Sequence, residues 1–74
     1  MKQVTDKYGD VMNEIPLMHM GEGDLIKRKP DAKTVFVVNH YDLDSDTYSL
    51  SDYWDMNREI FLKSSTMVYV GFSF

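Results

Sequence analysis

At 74 residues the chain has room for one domain, and without cysteine it has no disulfide, thiol nucleophile or cysteine-based metal site. Its formal net charge of −4 disfavours generic attachment to phosphate backbones, and its 14% aromatic content argues against disorder. No apolar run approaches the ~20 residues that span a bilayer, and Met1-Lys2-Gln3-Val4-Thr5-Asp6 shows no apolar signal segment, so the expectation is a cytoplasmic protein with no membrane partner.

Residues 1–16 read as a short N-terminal helix. Val4, Tyr8, Val11, Met12 and Ile15 fall on one helical stripe, Thr5 or Asp6 can cap the start, and Pro16 stops the end. Gly9 costs such a helix about 1 kcal/mol.

After Pro16 the signals become β, and residues 17–74 are expected to form one barrel. Leu17 to Met20 is short and apolar, and Gly21-Glu22-Gly23-Asp24 is a turn in which glycine supplies positive φ. Asp24 to Lys29 predicts a strand, and Pro30-Asp31 suits the centre of a tight turn. Thr34 to Tyr41 is rich in β-branched and aromatic residues, with apolar groups on both faces, and predicts a central strand. Asp42 to Asp46 reads as a polar hairpin loop. Thr47 to Ser51 and Arg58 to Lys63 alternate as half-buried strands, joined by a loop over Asp52 to Asn57. Ser64-Ser65 turns the chain. Thr66 to Phe74 then places Val68, Val70, Phe72 and Phe74 on one face, with Gly71 marking a bend or a close backbone approach. The expected core is Leu25, Ile26, Val35, Val37, Leu50, Ile60, Leu62, Val68, Val70 and Phe72.

Five short strands with short connections predict a mainly β, antiparallel meander that must close or be covered to hide its edges. The Gly21-Glu22-Gly23-Asp24-Leu25-Ile26 entry and the four strands after it resemble, in layout, the SH3-like small barrels. The resemblance covers residues 17–74 and implies a five-stranded barrel with the helix packed across one opening. The aromatic signature of peptide-binding SH3 domains is missing, so proline-rich ligands are not implied, and such barrels serve unrelated functions.

Several constellations bear on chemistry. Asp42-Leu43-Asp44-Ser45-Asp46 resembles the start of a calcium loop. Thr47 stands where that loop needs glycine and Tyr53 where it needs the bidentate glutamate, so the segment reads as a solvated hairpin tip. His19 and His40 have no ligand-spaced partners and read as structural. There is no nucleophile elbow and no phosphate loop, and a pair such as Asp52 and Asp55 has little enclosure to shift its pKa. No enzyme activity, cofactor or metal is expected.

Non-catalytic binding of another protein is the leading expectation, through Tyr41, Asp42, Tyr53, Trp54 and Asp55. Tyrosine and tryptophan offer rigid area with a polar tip, and the acids select a basic partner. The structural alternative has Tyr48 and Trp54 plugging the barrel end. A second functional reading is nucleic-acid binding through Lys27, Arg28, Lys29 and Lys33, with Phe36 and Tyr69 on neighbouring strands as stacking platforms. A third is an acidic mimic of nucleic acid, which requires carboxylates spaced like phosphates on one face. An unpaired last strand offers an edge for a homodimer.

Overall fold

The computed structural model describes residues 2–72. The first sixteen residues are a β-hairpin, not a helix. Strand β1 (Lys2–Thr5) pairs antiparallel with β2 (Val11–Pro16), with Val4 opposite Met12. The turn between them explains the choice. The Asp6 carboxylate accepts hydrogen bonds from the backbone N–H of Tyr8 (2.9 Å) and Asp10 (2.8 Å), and Asp6 N–H donates to the Asp10 carbonyl (3.0 Å). Gly9 sits at φ +83°, a left-handed conformation that a helix excludes. The stripe of apolar residues is thereby split. Met12 is buried, whereas Tyr8 is 81% exposed at the turn and Val11 points to solvent. Local side-chain bonding by Asp6 outcompetes the helix it was expected to cap.

Leu17–His19 is a single 3-10 turn that buries Leu17. The turns expected next are found. Asp24 N–H bonds the Gly21 carbonyl and its carboxylate accepts from Gly21 N–H, while Gly23 takes φ +88°. Ala32 N–H bonds the Lys29 carbonyl, with Pro30-Asp31 as the central pair.

Four strands then run as a meander: β3 (Leu25–Ile26), β4 (Phe36–Asp42), β5 (Thr47–Asp52) and β6 (Glu59–Lys63). The expected central strand is β4, flanked by β3 and β5. One extra residue in β4, between Val38 and Tyr41, shifts the register against β5. Such a bulge bends the sheet and sharpens its twist.

The last strand departs from the expected meander. β7 (Met67–Val70) does not continue beside β6; it pairs with β2, placing Val68 opposite Ile15. Its other side meets Lys27 in a bridge with two 2.9 Å hydrogen bonds. The five-stranded barrel is thus replaced by seven strands in two antiparallel sheets, β1-β2-β7 and β3-β4-β5-β6, which together form a curled half-barrel. β7 ends its three-stranded sheet, and on its outer side only Tyr69, among the described residues, is bonded, to Lys27, so the edge expected to support a dimer is partly covered. Among the described residues the sheets end in β1 and β7 and in β3 and β6, and the Lys27–Tyr69 bridge links the β3 and β7 ends. Phe74 lies outside the described residues.

The core gathers Leu17, Ile26, Phe36, Val38, Leu50 and Val68, with Met12 and Val35 also buried. Of the expected core, Ile26, Val35, Leu50 and Val68 are fully buried, while Leu25, Val37, Ile60, Leu62, Val70 and Phe72 are half-buried. The phase on β4 is the error: pairing of Ile26 with Phe36 turns Phe36 and Val38 inward and Val37 outward. Gly71, at φ +80°, bends the chain where the Asn13 amide would lie 3.3 Å from an added Cβ. Among the described residues, no helix is long and apolar enough to cross a membrane.

Candidate functional site

Two facing turns assemble the basic end of the molecule. Lys7 N–H in the β1–β2 turn donates to the Asp31 carboxylate at 3.0 Å, which ties that turn to the Pro30-Asp31 turn. Lys7 and Tyr8 are thereby brought beside the Lys27–Lys33 segment, although some twenty residues separate them in sequence. The result is a groove of about 260 Å³ whose walls include Lys7, Tyr8, Lys27, Lys33 and Trp54, with Asp6 and Asp31 also lining it.

On the other side of the Lys27–Lys33 segment lies a larger concavity of about 520 Å³. Arg28, Lys29 and Arg58 line it, over a floor that includes Phe36 and Leu62, and no acidic side chain lines it. Ala32 borders both hollows, so they adjoin. Of the eight lysine and arginine residues in the chain, Lys7, Lys27, Arg28, Lys29, Lys33 and Arg58 line these two hollows.

Trp54 is held at this end by Asp52, a buried carboxylate at the end of β5. Asp52 accepts from Trp54 N–H at 2.9 Å and faces the Arg58 guanidinium at 3.5 Å. Trp54 itself is 64% exposed and meets the Tyr53 ring edge-on, with centroids 5.6 Å apart. It does not enter the interior, where Phe36 is 2% exposed and Tyr48 packs half-buried against the core. Phe36 is therefore unable to stack on a base. Tyr69 is not a platform either: it lies on β7, away from β4, and its hydroxyl donates to Glu14 at 2.8 Å. That bond to a carboxylate, with partial burial, raises the Tyr69 pKa above 10.0.

The residues expected to recognise a protein do not form one patch. Tyr41 and Asp42 sit at the hairpin end of β4, opposite Tyr48 and Thr47. Tyr53, Trp54 and Asp55 follow the far end of β5. A six-residue strand rising about 3.3 Å per residue separates the two groups.

At the hairpin end the acids collect: Asp42, Asp44 and Asp46. The Tyr41 hydroxyl donates to the Asp46 carboxylate at 2.6 Å, and its ring lies 4.9 Å from that of Tyr48. Hydrogen bonds from Tyr41 and Ser64 hold the Asp46 carboxyl below its ordinary 3.8, and the same bond holds the Tyr41 hydroxyl above 10.0. Because the native Asp46 value lies below the unfolded one, its contribution to stability is complete above pH 3.8 and fades as pH falls through the native value. Replacing Tyr41 by Phe is expected to move the Asp46 titration up towards 3.8, read by NMR of its side-chain carboxyl carbon.

Both histidines are exposed, His19 closing the 3-10 turn and His40 in the β4 bulge. Among the described residues, no group of three His, Cys, Asp or Glu side chains is arranged to hold a metal ion. The sequence reading named Lys27, Arg28, Lys29 and Lys33; Lys7, Tyr8 and Arg58, which it did not name, line the same two hollows. The one available signal was Lys7-Tyr8-Gly9 between two acids, a turn tip that sets an aromatic beside a cation. No protein-family model matches the chain, and no curated protein or solved structure matches it.

Proposed function

We propose that the protein is a non-catalytic binding module whose ligand is a flexible polyanion, single-stranded nucleic acid. One observation carries the reading: six of the eight basic residues line two adjoining hollows that also present the exposed rings of Trp54 and Tyr8. Single-strand binders combine these two elements, a cationic groove for the backbone and aromatic faces for the bases. Asp42, Asp44 and Asp46 stand at the hairpin tip, a strand length from Arg58 and the start of β4, while Asp6, Asp31 and Asp52 share the end that carries the basic residues. The larger hollow, lined by Arg28, Lys29 and Arg58 and by no carboxylate, is the seat proposed for the polyanion.

As finer parts of the same proposal, the curl of β3 to β7 belongs to the SH3-like type of barrel, and the setting is cytoplasmic. The Gly21–Ile26 entry supports the first, and the absence of cysteine the second. Protein recognition is the second reading. It is favoured by Leu43, 80% exposed between Asp42 and Asp44, an apolar side chain on an acidic tip suited to a basic partner. An acidic mimic is less well supported, since the carboxylates occupy both ends of β5 rather than one row.

Binding of a labelled single-stranded oligonucleotide, followed by anisotropy and by quenching of Trp54 fluorescence, tests the proposal. With four phosphates contacted, log affinity should fall against log salt with a slope of about −3. Lys29→Ala with Lys33→Ala should flatten that slope by about 1.4, and Trp54→Ala should weaken binding by about 1–3 kcal/mol. No binding of single-stranded DNA or RNA at low salt, or binding indifferent to all three substitutions, would overturn it.

A further inference from the structure

We infer that β6 is a self-pairing edge and that the protein forms a two-fold dimer through it, centred on Phe61. Among the described residues β6 is paired on one side only. Asp52 N–H bonds the Arg58 carbonyl and Ser64 N–H bonds the Asp46 carbonyl, which fixes the alternation along the strand. Between those ends Ile60 and Leu62 turn their backbone groups towards β5, and Glu59, Phe61 and Lys63 turn theirs outward; the Lys63 carbonyl accepts from Thr66 N–H and keeps a second lone pair.

The strand reads Glu59-Ile60-Phe61-Leu62-Lys63, with an acid and a base equidistant from the central ring. Antiparallel pairing of two copies about Phe61 sets Glu59 of each opposite Lys63 of the other. It also sets Ile60 opposite Leu62 and the two Phe61 rings side by side. The positions whose backbone groups point outward are the ones that such a register bonds, so alternation and charge select the same pairing. Phe61 is 63% exposed in the single chain, a large apolar group at the centre of an unpaired edge. Lys63 donates to the Ser45 carbonyl at 2.7 Å, and its ammonium keeps two further donors for a carboxylate. The β3 and β7 ends meet each other at the Lys27–Tyr69 bridge, and β1 offers no such match: self-pairing there would set Lys2 opposite Thr5.

The occupant is thus a second copy of this chain, related by the closed symmetry that most small homodimers use. Five residues a side make a small interface, so the equilibrium should respond to dilution.

Sedimentation velocity of the whole chain over a dilution series tests this, with circular dichroism confirming that each variant is folded. The unsubstituted protein should pass from dimer to monomer on dilution. Glu59→Lys and Lys63→Glu should each raise the dissociation constant roughly tenfold, because each places two like-charge pairs across the axis. The two changes together should restore the original constant, and Phe61→Lys should give monomer. A monomer at every concentration would overturn the inference. So would a dimer indifferent to all these substitutions, or a double reversal that fails to rescue.

Discussion

Phe36→Ala is expected to lower the unfolding free energy by about 3–5 kcal/mol, the range for deleting a buried aromatic ring. Phe36 packs among Leu17, Ile26, Val38, Leu50 and Val68, drawn from both sheets and the 3-10 turn, so no single element can shift to fill the gap. The Arg58 guanidinium lies 5.9 Å from the ring centre and adds a smaller cation–π contribution. A domain of this length has a total stability of only about 4–11 kcal/mol. The variant should therefore unfold at a much lower urea concentration, or fail to fold at 37 °C. Phe36→Leu, which keeps most of the volume, should lose about 1.5 kcal/mol or less and remain measurable. Equal, small losses in both variants would show that the ring is not a core element.

The second large effect is expected at Asp52. Its carboxylate serves two partners, and their magnitudes separate them. The Arg58 side chain is 57% exposed, so that ion pair contributes about 0–1 kcal/mol. The Trp54 backbone N–H bonds a buried, charged acceptor, and such bonds contribute about 1.5–3 kcal/mol. Asp52→Ala should thus cost about 2–3 kcal/mol and Asp52→Asn, which keeps an oxygen acceptor, about 1 kcal/mol or less. Urea unfolding gives both values. Emission from Trp54, the chain's one tryptophan, reports whether the loop moves. If Asn cost as much as Ala, the ion pair rather than the loop bond would be the dominant partner.

How far the fold was legible can be read strand by strand. β4, β5 and β6 were clear because each is rich in β-branched or aromatic residues, β5 and β6 also alternate, and aspartate stands in the turns between them. The N-terminal hairpin was misread because its apolar residues also fit a helical period. Asp6 and Gly9, which decide against the helix, act through bonds that periodicity does not count. The inward phase of β4 was ambiguous because Val35 to Val38 are all apolar, and only pairing with Ile26 selects Phe36 and Val38. The partner of β7 had no sequence signal: pairing with β2 joins residues more than fifty positions apart.

The candidate site was half legible for the same reason. A basic run is visible as a run, so Lys27 to Lys33 stood out. The contributions of Lys7, Tyr8 and Arg58 depend on turns that only the folded chain brings together. Conversely Tyr41 and Trp54, close enough in sequence to suggest one patch, are kept apart by the strand between them.

The placement of β7 also dictates the order in which a newly made chain can mature. Residues 67–70 stitch the opening hairpin to the rest through Ile15 on one side and Lys27 on the other. Until the ribosome has released them, Met12 and Leu17 lack the strand that completes their enclosure. The opening hairpin must therefore wait for a strand made long after it, and folding should be slow relative to a helical protein of equal size.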